Sequence, residues 1–345
     1  MGLSAEAIDS LAGKGAARGL DLRPGLALVE QRLRESVASE LPFVQEASRY
    51  LIEAGGKRFR PMLVLLGGAL GGTAPDDDRL VAAGVIVELV HISTLYHDDV
   101  IDAADLRRGS AAAHVRWSNT VAILTGDFLL ARASELSAGL GVETTRIMAR
   151  TIAELCAGQI REVQASGMAA AHGAAPVEAD RAHYLAVIAE KTASLIASSC
   201  RLGALLSGQP QDAQEALAAY GQRLGMAFQL ADDVLDVAGE EAESGKLPGT
   251  DLKEGVRTLP VLLALEAEGA GSEFAALVAD PTDANVAKAM GLLRLHPALD
   301  QARAAAHAEV AAAKAALDPF RVRPDAATAV EALDWLADYA VERLG

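Results

Sequence analysis

The amino-acid sequence predicts an all-α protein. Alanine and leucine, the residues with the best helix propensity, dominate the 345-residue chain, which is 51% apolar and only 4% aromatic. Apolar residues recur at helical spacing over most of its length, and no segment of any length shows the apolar–polar alternation of a β-strand. A chain of this length and apolar content can bury a large core. We therefore expect helices that pack around such a core.

The N-terminal segment differs from the rest of the chain. Residues 1–25 predict a loosely ordered arm, because glycines and a proline interrupt any long helix there. Helical spacing runs from Leu26 to Ala54, as one helix or as two with a break near Pro42. The acidic run 76–78 is expected to cap and open the next helix. The remaining helices are predicted for Leu80–Tyr96, Ala113–Leu136, Thr145–Ala165, Val177–Ser207, Ala213–Ala238 and several segments of Thr258–Gly345.

The charge balance argues against some classes of partner. The formal net charge of −16 disfavours nucleic acid or an anionic membrane surface as the main partner. An anionic substrate would therefore need a local basic site. The first ten residues contain Glu6 and Asp9 and no apolar segment, so we expect no signal peptide and a cytoplasmic protein. Cys156 and Cys200 lie in apolar helical segments and are expected to be reduced core thiols.

Two acidic motifs are the strongest chemical signal in the chain. The segments 98–102 and 232–236 both have the pattern D-D-x-x-D, and each follows an apolar segment with helical spacing. Residues four apart share a helix face, so Asp98 points the same way as Asp102, and Asp232 the same way as Asp236. Carboxylates clustered in this way repel one another unless a cation lies between them. Such oxygen ligands suit Mg²⁺, which completes its coordination with water and substrate phosphates.

Basic residues accompany these motifs. The segment Gly55–Pro61 places Lys57, Arg58 and Arg60 between two glycines and a helix start, which is typical of an anion site. The polar, glycine-rich segment Gly239–Gly255 is suited to be a lid that closes over a charged ligand. The other basic residues of the set are Arg107, Arg108, Lys191, Lys246 and Lys253. Together, the acidic and basic residues predict a site for diphosphate groups bridged by magnesium.

The sequence has no recognisable nucleophile motif. It contains neither G-x-S-x-G nor the phosphate-binding loop G-x-x-x-x-G-K-[ST]. A site without a nucleophile can still promote the loss of diphosphate by stabilising the charge of the leaving group. The cation left behind would need a dry, apolar cavity, which helices rich in Ala, Leu and Val can wall.

The chain resembles the trans-isoprenyl diphosphate synthase (polyprenyl synthetase) family over about residues 27–340. The residues that carry the resemblance are Gly55–Pro61, Glu88–Asp102, Arg107–Gly109, Lys191-Thr192, Phe228–Asp236 and Lys246–Pro260. It implies a single-domain helical bundle around a deep central cavity, with residues 26–345 as the catalytic domain, and a homodimer. The reaction implied is the Mg²⁺-dependent, head-to-tail condensation of isopentenyl diphosphate with an allylic diphosphate primer. In it the primer ionises, the alkene attacks the allylic cation, and a proton is lost.

The resemblance also implies roles for individual residues. About three magnesium ions would be bound by Asp98, Asp102, Asp232 and Asp236. The primer diphosphate would be held by Arg107, Lys191, Thr192, Gln229 and Lys246. The diphosphate of isopentenyl diphosphate would be held by Lys57, Arg60, His91 and Arg108. The residues implied in catalysis are Asp98, Asp102, Asp232, Lys191 and Arg107. His91 lies two helical turns before Asp98, so the two side chains share a face.

Two small residues predict the length of the product. In the family, the side chains four and five positions before the first aspartate lie under the growing chain, and here they are Thr94 and Ser93. Small side chains leave the cavity open, so we expect a long-chain, all-trans polyprenyl diphosphate of the kind that makes quinone side chains. Tyr96 is about 200° around the helix from Asp98 and need not block the cavity. A geranylgeranyl (C20) product is the alternative.

Other functions are less well matched by the sequence. A terpene cyclase shares the first acidic motif, but its second metal motif normally differs from the one at Asp232. A di-iron bundle needs two E-x-x-H pairs on different helices, and only one pair is found, at Glu88 and His91. A subunit of a heteromeric prenyl synthase is the non-catalytic alternative, although this chain keeps both kinds of motif. A long polyprenyl product is lipophilic, which predicts transient membrane contact.

Overall fold

The computed structural model describes residues 20–165, 177, 180–239, 249–342 and 344, and almost all of them are helical. The predicted all-α fold is confirmed. The helices are α1 Arg23–Ser36, α2 Pro42–Glu53, α3 Phe59–Leu70, α4 Asp78–Ile101, α5 Ala113–Arg116, α6 Asn119–Leu140, α7 Val142–Ala165, α8 Arg181–Ile188, a π-helix Ala189–Ala193, α9 Ser194–Leu206, α10 Gln211–Ala238, α11 Thr250–Lys253, α12 Leu259–Glu268, α13 Glu273–Ala279, α14 Asp283–Leu293, α15 Pro297–Ala316, α16 Asp318–Arg321, a 3₁₀-helix Pro324–Ala326 and α17 Ala327–Glu342.

The first helix begins earlier than the sequence predicts. Helix α1 includes residues 23–25, which were expected to be part of the loose arm, so that prediction is wrong for these three residues. Pro24 suits the first turn of a helix. Gly25 is tolerated because the helix lies against the loop before α4: a Cβ atom there would be 2.2 Å from the carbonyl oxygen of Pro75. Residues 1–19 of the predicted arm lie outside the described residues.

Local signals set several other helix boundaries. Pro42 opens α2, so the alternative of two helices separated near this residue is confirmed. The carboxylate of Asp77 accepts the backbone N–H of Arg79 at 2.9 Å, which confirms the predicted cap of α4. The helix predicted for Ala113–Leu136 is instead two helices, because Ser118 caps a new start at α6.

Helix α4 lies at the centre of the bundle. It packs against α1, α3, α6 and α9. It is the one described helix that is long and apolar enough to cross a membrane by composition, but 72% of its most apolar window is buried inside the protein. Its apolar character is therefore that of a core helix.

A short β-hairpin was not predicted. Leu106–Arg107 pairs antiparallel with Ser110–Ala111, directly after the first acidic motif. Both residues of the turn, Arg108 and Gly109, have left-handed backbones with φ of 53° and 77°. A two-residue turn of this kind matches the natural twist of a hairpin. The hairpin matters because it carries two of the basic residues assigned to substrate binding.

A π-helix interrupts the segment between α8 and α9. The single helix or pair predicted for Val177–Ser207 contains this wider turn at Ala189–Ala193. Such turns often occur at functional sites, and this one carries Lys191 and Thr192. Helix α7 approaches it closely, since a Cβ atom at Gly158 would lie 2.6 Å from the backbone nitrogen of Lys191.

Candidate active site

A cavity of about 1200 Å³ lies between α3, α4, α6, α7, α10 and the π-helix. Its walls change in character along α4 and α7. Asp98 lines the cavity near the C-terminal end of α4, while Val90, about 12 Å further back along the same helix, lines it among apolar residues. On α7, Leu155 and Ile152 face the cavity in the turns that precede Gln159. The cavity therefore has a charged end and an apolar end.

The first acidic motif lies at the charged end. Asp98 lines the cavity, and Asp102 is exposed at the end of α4. Burial raises the pKa of Asp98 to about 6; Lys191 opposes the shift, and Asp102 adds to it. The second aspartate, Asp99, is turned into the protein, where it accepts the Nε–H of Arg107 at 2.7 Å. Only two of the three aspartates are therefore placed to face a ligand.

The second acidic motif has the same arrangement. Asp232 lines the cavity, Asp236 is half-buried one turn later, and Asp233 is buried. Tyr184 donates its hydroxyl to one oxygen of Asp233, and Gln229 donates to the other at 2.8 Å. Burial, reinforced by the charge of Asp251, raises the pKa of Asp233 to about 8.

The charged end fits a divalent cation shared with a ligand better than a cation held by protein alone. Among the described residues, no group of three or more His, Cys, Asp or Glu is placed to hold a metal ion. Asp98 and Asp232 nevertheless line the same cavity from two helices. Burial raises the pKa of Asp98, and a bound cation would favour its charged form. Mg²⁺ is commonly bound by one or two carboxylates, with water and substrate phosphates as the other ligands.

Basic residues line the same cavity from other elements. Lys57 and Arg60 come from the start of α3, and Arg107 and Arg108 come from the hairpin. Arg108 is held by the carbonyl oxygens of Leu51, at 2.9 Å, and of Gly55. All four residues line this one cavity.

Arg58 has a different position from its neighbours. Its guanidinium is buried between Glu30, at 2.7 Å, and Glu88, at 2.9 Å. Its backbone is left-handed, with φ of 47°, a conformation that costs a non-glycine residue energy. Gly56 makes room for the cluster, because a Cβ atom there would lie 2.8 Å from Arg58 Nη1 and 3.0 Å from Arg108 Nη1. Arg58 therefore anchors the loop that presents Lys57 and Arg60.

Lys191, Thr192 and Gln229 also line the cavity. Lys191 forms an ion pair with Glu162 of α7. Although burial opposes its positive charge, the carboxylates of Glu162 and Asp98 raise the pKa of Lys191. Thr192 donates its hydroxyl to Gln229 Oε1 at 3.0 Å. His91 lines the same cavity as Asp98, as the helical spacing predicts.

The two residues expected to set product length lie at the cavity wall. Thr94 donates its hydroxyl to the carbonyl oxygen of His91, and Ser93 donates to that of Gly126 on α6, both at 2.8 Å. Tyr96 is buried away from the cavity and donates to the carbonyl oxygen of Ala47 at 2.5 Å. The expectation that Tyr96 does not obstruct the cavity is confirmed.

Two lysines and one cysteine do not have the positions that the sequence predicts, or lie where the structure is not described. Lys246 and most of the predicted lid lie outside the described residues. Lys253 does not line the cavity; it forms an exposed ion pair with Asp283 at 2.7 Å.

Cys200 is buried as expected, but the prediction of a core thiol is wrong for Cys156, which is exposed and lines the cavity. Helical spacing places a residue on a face of α7 but does not show that a cavity lies beside that face.

Several residues that support the site were not predicted from the sequence. Glu88 and Glu162 balance the arginines and Lys191, and the rings of Phe59 and Phe228 stack in the cavity wall with centroids 5.9 Å apart. The sequence did contain a signal that the second aspartate of each motif faces away from the ligand. Because consecutive residues on a helix are rotated by about 100°, Asp99 and Asp233 cannot share the face of the aspartates beside them.

A comparison with known protein families identifies the family of this chain. The model of the polyprenyl synthetase family matches residues 41–293. The chain belongs to the polyprenyl synthetase family. This synthetase is 41% identical over 327 residues to the nonaprenyl diphosphate synthase of Mycobacterium tuberculosis, covering 94% of each chain. It is 39% identical to heptaprenyl diphosphate synthase component 2 of Geobacillus stearothermophilus, covering 82% of this chain and 86% of the relative.

A solved structure has the same fold as this synthetase. It is a polyprenyl synthase from Caulobacter crescentus, complexed with calcium and isoprenyl diphosphate. The TM-score is 0.84 at 34% identity, with 98% of each chain covered. Family membership makes this synthetase a prenyltransferase, and it decides against the terpene cyclase and di-iron alternatives.

Proposed function

We propose that this synthetase condenses isopentenyl diphosphate with an allylic diphosphate primer, head to tail, to give an all-trans polyprenyl diphosphate. The observation that carries the proposal is a single cavity with two acidic motifs and two basic groups at one end and apolar walls at the other. The carbon–oxygen bond of the primer breaks, and its electron pair leaves with the diphosphate. The alkene's electron pair then forms the new carbon–carbon bond, and a proton is lost from the product.

Two groups of residues would bind the two diphosphates. We assign the primer diphosphate to Arg107, Lys191, Thr192, Gln229 and Lys246. We assign the diphosphate of isopentenyl diphosphate to Lys57, Arg60, His91 and Arg108. The described members of the two groups lie on different elements of the cavity wall, with the exception of the adjacent Arg107 and Arg108 in the hairpin. This separation supports one binding subsite for each substrate.

The acidic motifs would hold magnesium ions against the primer diphosphate. Asp98 and Asp102 would bind on one side, and Asp232, supported by Asp236, on the other. The bound ions, about three for each site, would neutralise the charge that develops on the leaving diphosphate. The Caulobacter relative complexed with calcium supports a divalent cation here.

We propose a long-chain product. Ser93 and Thr94 are small, and the apolar end of the cavity continues past them to Val90, Leu130 and Ile152. The nonaprenyl relative from Mycobacterium supports the same conclusion. A C20 product is the alternative, because Val90 and Ile152 close the cavity at that end.

One assay tests both the reaction and the product length. The purified chain is incubated with Mg²⁺, labelled isopentenyl diphosphate and an allylic primer, and the product length is read by chromatography. We expect Mg²⁺-dependent products longer than C20. A C20 end product would support the alternative, and an absence of any condensation would contradict the proposed function.

We propose that the active form is a homodimer. Three large apolar side chains on α5 and α6 are exposed, and a second copy would cover them: Val115, Ile123 and Leu124. A heteromeric synthase is the alternative, since the Geobacillus relative is named as component 2 of its synthase. Light scattering of the purified chain should give twice the monomer mass, together with turnover. A monomer without turnover would favour the heteromer.

The product would leave the protein by transient contact with a membrane, and the protein would be cytoplasmic. A long polyprenyl chain is lipophilic, whereas the protein carries a net charge of −16. We therefore expect lipid vesicles to accelerate steady-state turnover without stable binding of the protein. Full turnover in the absence of lipid and detergent would contradict the membrane contact. Cell fractionation tests the location.

A further inference from the structure

The second aspartate of each acidic motif is used inside the protein rather than at the ligand. Asp233 is 3% exposed, and Tyr184, its partner from α8, is 6% exposed. The two residues are 49 positions apart in the chain. A carboxylate so deeply buried is costly unless it is well paired. The hydrogen-bond partners of Asp233 therefore indicate its role.

Both oxygens of the Asp233 carboxylate are engaged. Tyr184 donates its hydroxyl to Oδ2, and Gln229 donates its Nε2–H to Oδ1 at 2.8 Å. Asp233 does not line the cavity itself, but it is connected to the cavity through Gln229, which does.

These bonds fix the orientation of the Gln229 amide. Its Oε1 accepts the hydroxyl of Thr192 at 3.0 Å, and one of its two N–H groups is given to Asp233. An amide nitrogen has two hydrogens, so one N–H remains for a ligand. Because Gln229 and Thr192 both line the cavity, that N–H is the one donor of this amide left for a substrate.

The Tyr184–Asp233 hydrogen bond joins two helices, α8 and α10. Helix α8 also packs against α12. Removing the Tyr184 hydroxyl would leave Asp233 with one partner instead of two, so the carboxylate would be free to turn and release Gln229.

We propose that Tyr184 and Asp233 are positioning residues for the primer diphosphate, which they serve by holding the amide of Gln229 in its binding orientation. The inference rests on the proposed function. It predicts an effect on one substrate only, since Gln229 and Thr192 belong to the primer subsite. Arg108 is held by the carbonyl oxygen of Leu51, and Lys57 and Arg60 come from the start of α3, so these residues belong to other elements than Tyr184 and Asp233.

The test compares two substitutions, each of which removes the hydroxyl group of a buried tyrosine. Tyr184→Phe should raise the KM for the primer about tenfold, while the KM for isopentenyl diphosphate changes less than about twofold. Tyr220→Phe is the matched control: Tyr220 lies on α10 as Asp233 does, is fully buried, and donates to the carbonyl oxygen of Leu333 at 2.7 Å. Tyr220→Phe should lower the thermal stability of the protein and leave the KM values for both substrates unchanged.

Two further variants keep the test decisive. Asp233→Asn preserves the shape of the side chain and should raise the primer KM in the same selective way if Tyr184→Phe fails to fold. In a Gln229→Leu background, Tyr184→Phe should have no further effect on the primer KM, because the group it positions is gone.

The outcomes separate the two proposals. Equal changes in both KM values, or effects of Tyr184→Phe and Gln229→Leu that add, would overturn the positioning role and leave the proposed function intact. An absence of condensation by the wild-type protein would overturn both.

Discussion

Glu88 is a single buried carboxylate in a region of positive charge. It forms an ion pair with Arg58 at 2.9 Å, and its charge also acts on Arg60 and Arg108. Without Glu88, three guanidinium groups would be left close to one another in a poorly solvated region. The carboxylate allows a strongly basic subsite to exist before an anionic substrate arrives.

Loss of this carboxylate should destabilise the fold. We expect Glu88→Gln to lower the free energy of unfolding by about 3 kcal/mol, because it removes the buried partner of Arg58 and leaves the more exposed Glu30 to balance that cation. Glu30→Gln is the control: Glu30 also pairs with Arg58, but its side chain is 28% exposed, so the loss should be about 1 kcal/mol or less. Urea unfolding measures both. Equal losses for the two variants would contradict this account.

His91 should make stability depend on pH. Burial, and then the charges of Arg60 and Arg108, hold the pKa of His91 well below its ordinary value. As the pH falls below about 6.5, the unfolded chain therefore takes up a proton that the folded chain does not. The contribution of His91 to stability is complete above that pH and is lost below it. Urea unfolding should show a steeper loss in the wild type than in His91→Gln; parallel curves would contradict the prediction.

At the scale of elements, α4 combines two tasks. Near its C-terminal end Asp98 lines the cavity and Asp102 follows as the C-cap, and the turn before Asp98 presents Ser93 and Thr94 to the same cavity. Further back, Val90 lines both the main cavity and a second cavity of about 50 Å³, and Ile152 of α7 does the same. These two side chains therefore form a wall between the cavities. Chemistry and product length would both be set along this one helix.

Two substitutions on α4 should change product length in opposite directions. Thr94→Phe would fill the cavity and shorten the product, whereas Val90→Ala would open the wall to the second cavity and lengthen it. Tyr96→Phe is the control, because Tyr96 is buried away from the cavity. Chromatography of the products measures all three. Unchanged lengths for both Thr94→Phe and Val90→Ala would show that this helix does not set the product length.

At the scale of the whole molecule, spacing along helices was predictable from the sequence, but contacts between distant segments were not. The two-turn spacing correctly placed Asp98 and His91 on one face, and Asp77 was recognisable as a cap. The hairpin that carries Arg108 was missed, because two-residue strands show no alternation. The partners of Asp99 and Asp233 were missed as well: Arg107 follows after a turn, and Tyr184 lies on another helix.

The resemblance to the family predicted the central cavity, which the spacing of residues along the helices could not predict. The closure of the bundle into a cavity depends on close helix contacts, such as those at Gly158 and Gly203, where a Cβ atom would lie 2.6 Å and 2.3 Å from backbone atoms of another helix. A glycine within a helical pattern does not reveal which helix approaches it. The family's order of motifs did indicate that both acidic segments face one cavity.

The central claim is that the two acidic motifs act together on one primer diphosphate through magnesium. The most direct test is the Mg²⁺-dependent condensation rate of Asp98→Ala and of Asp232→Ala, with circular dichroism to confirm that each variant remains helical. We expect each substitution to lower turnover by at least about a hundredfold in a folded protein, since each removes a carboxylate that would hold a metal ion against the leaving group. Near-normal turnover in either folded variant would contradict the claim.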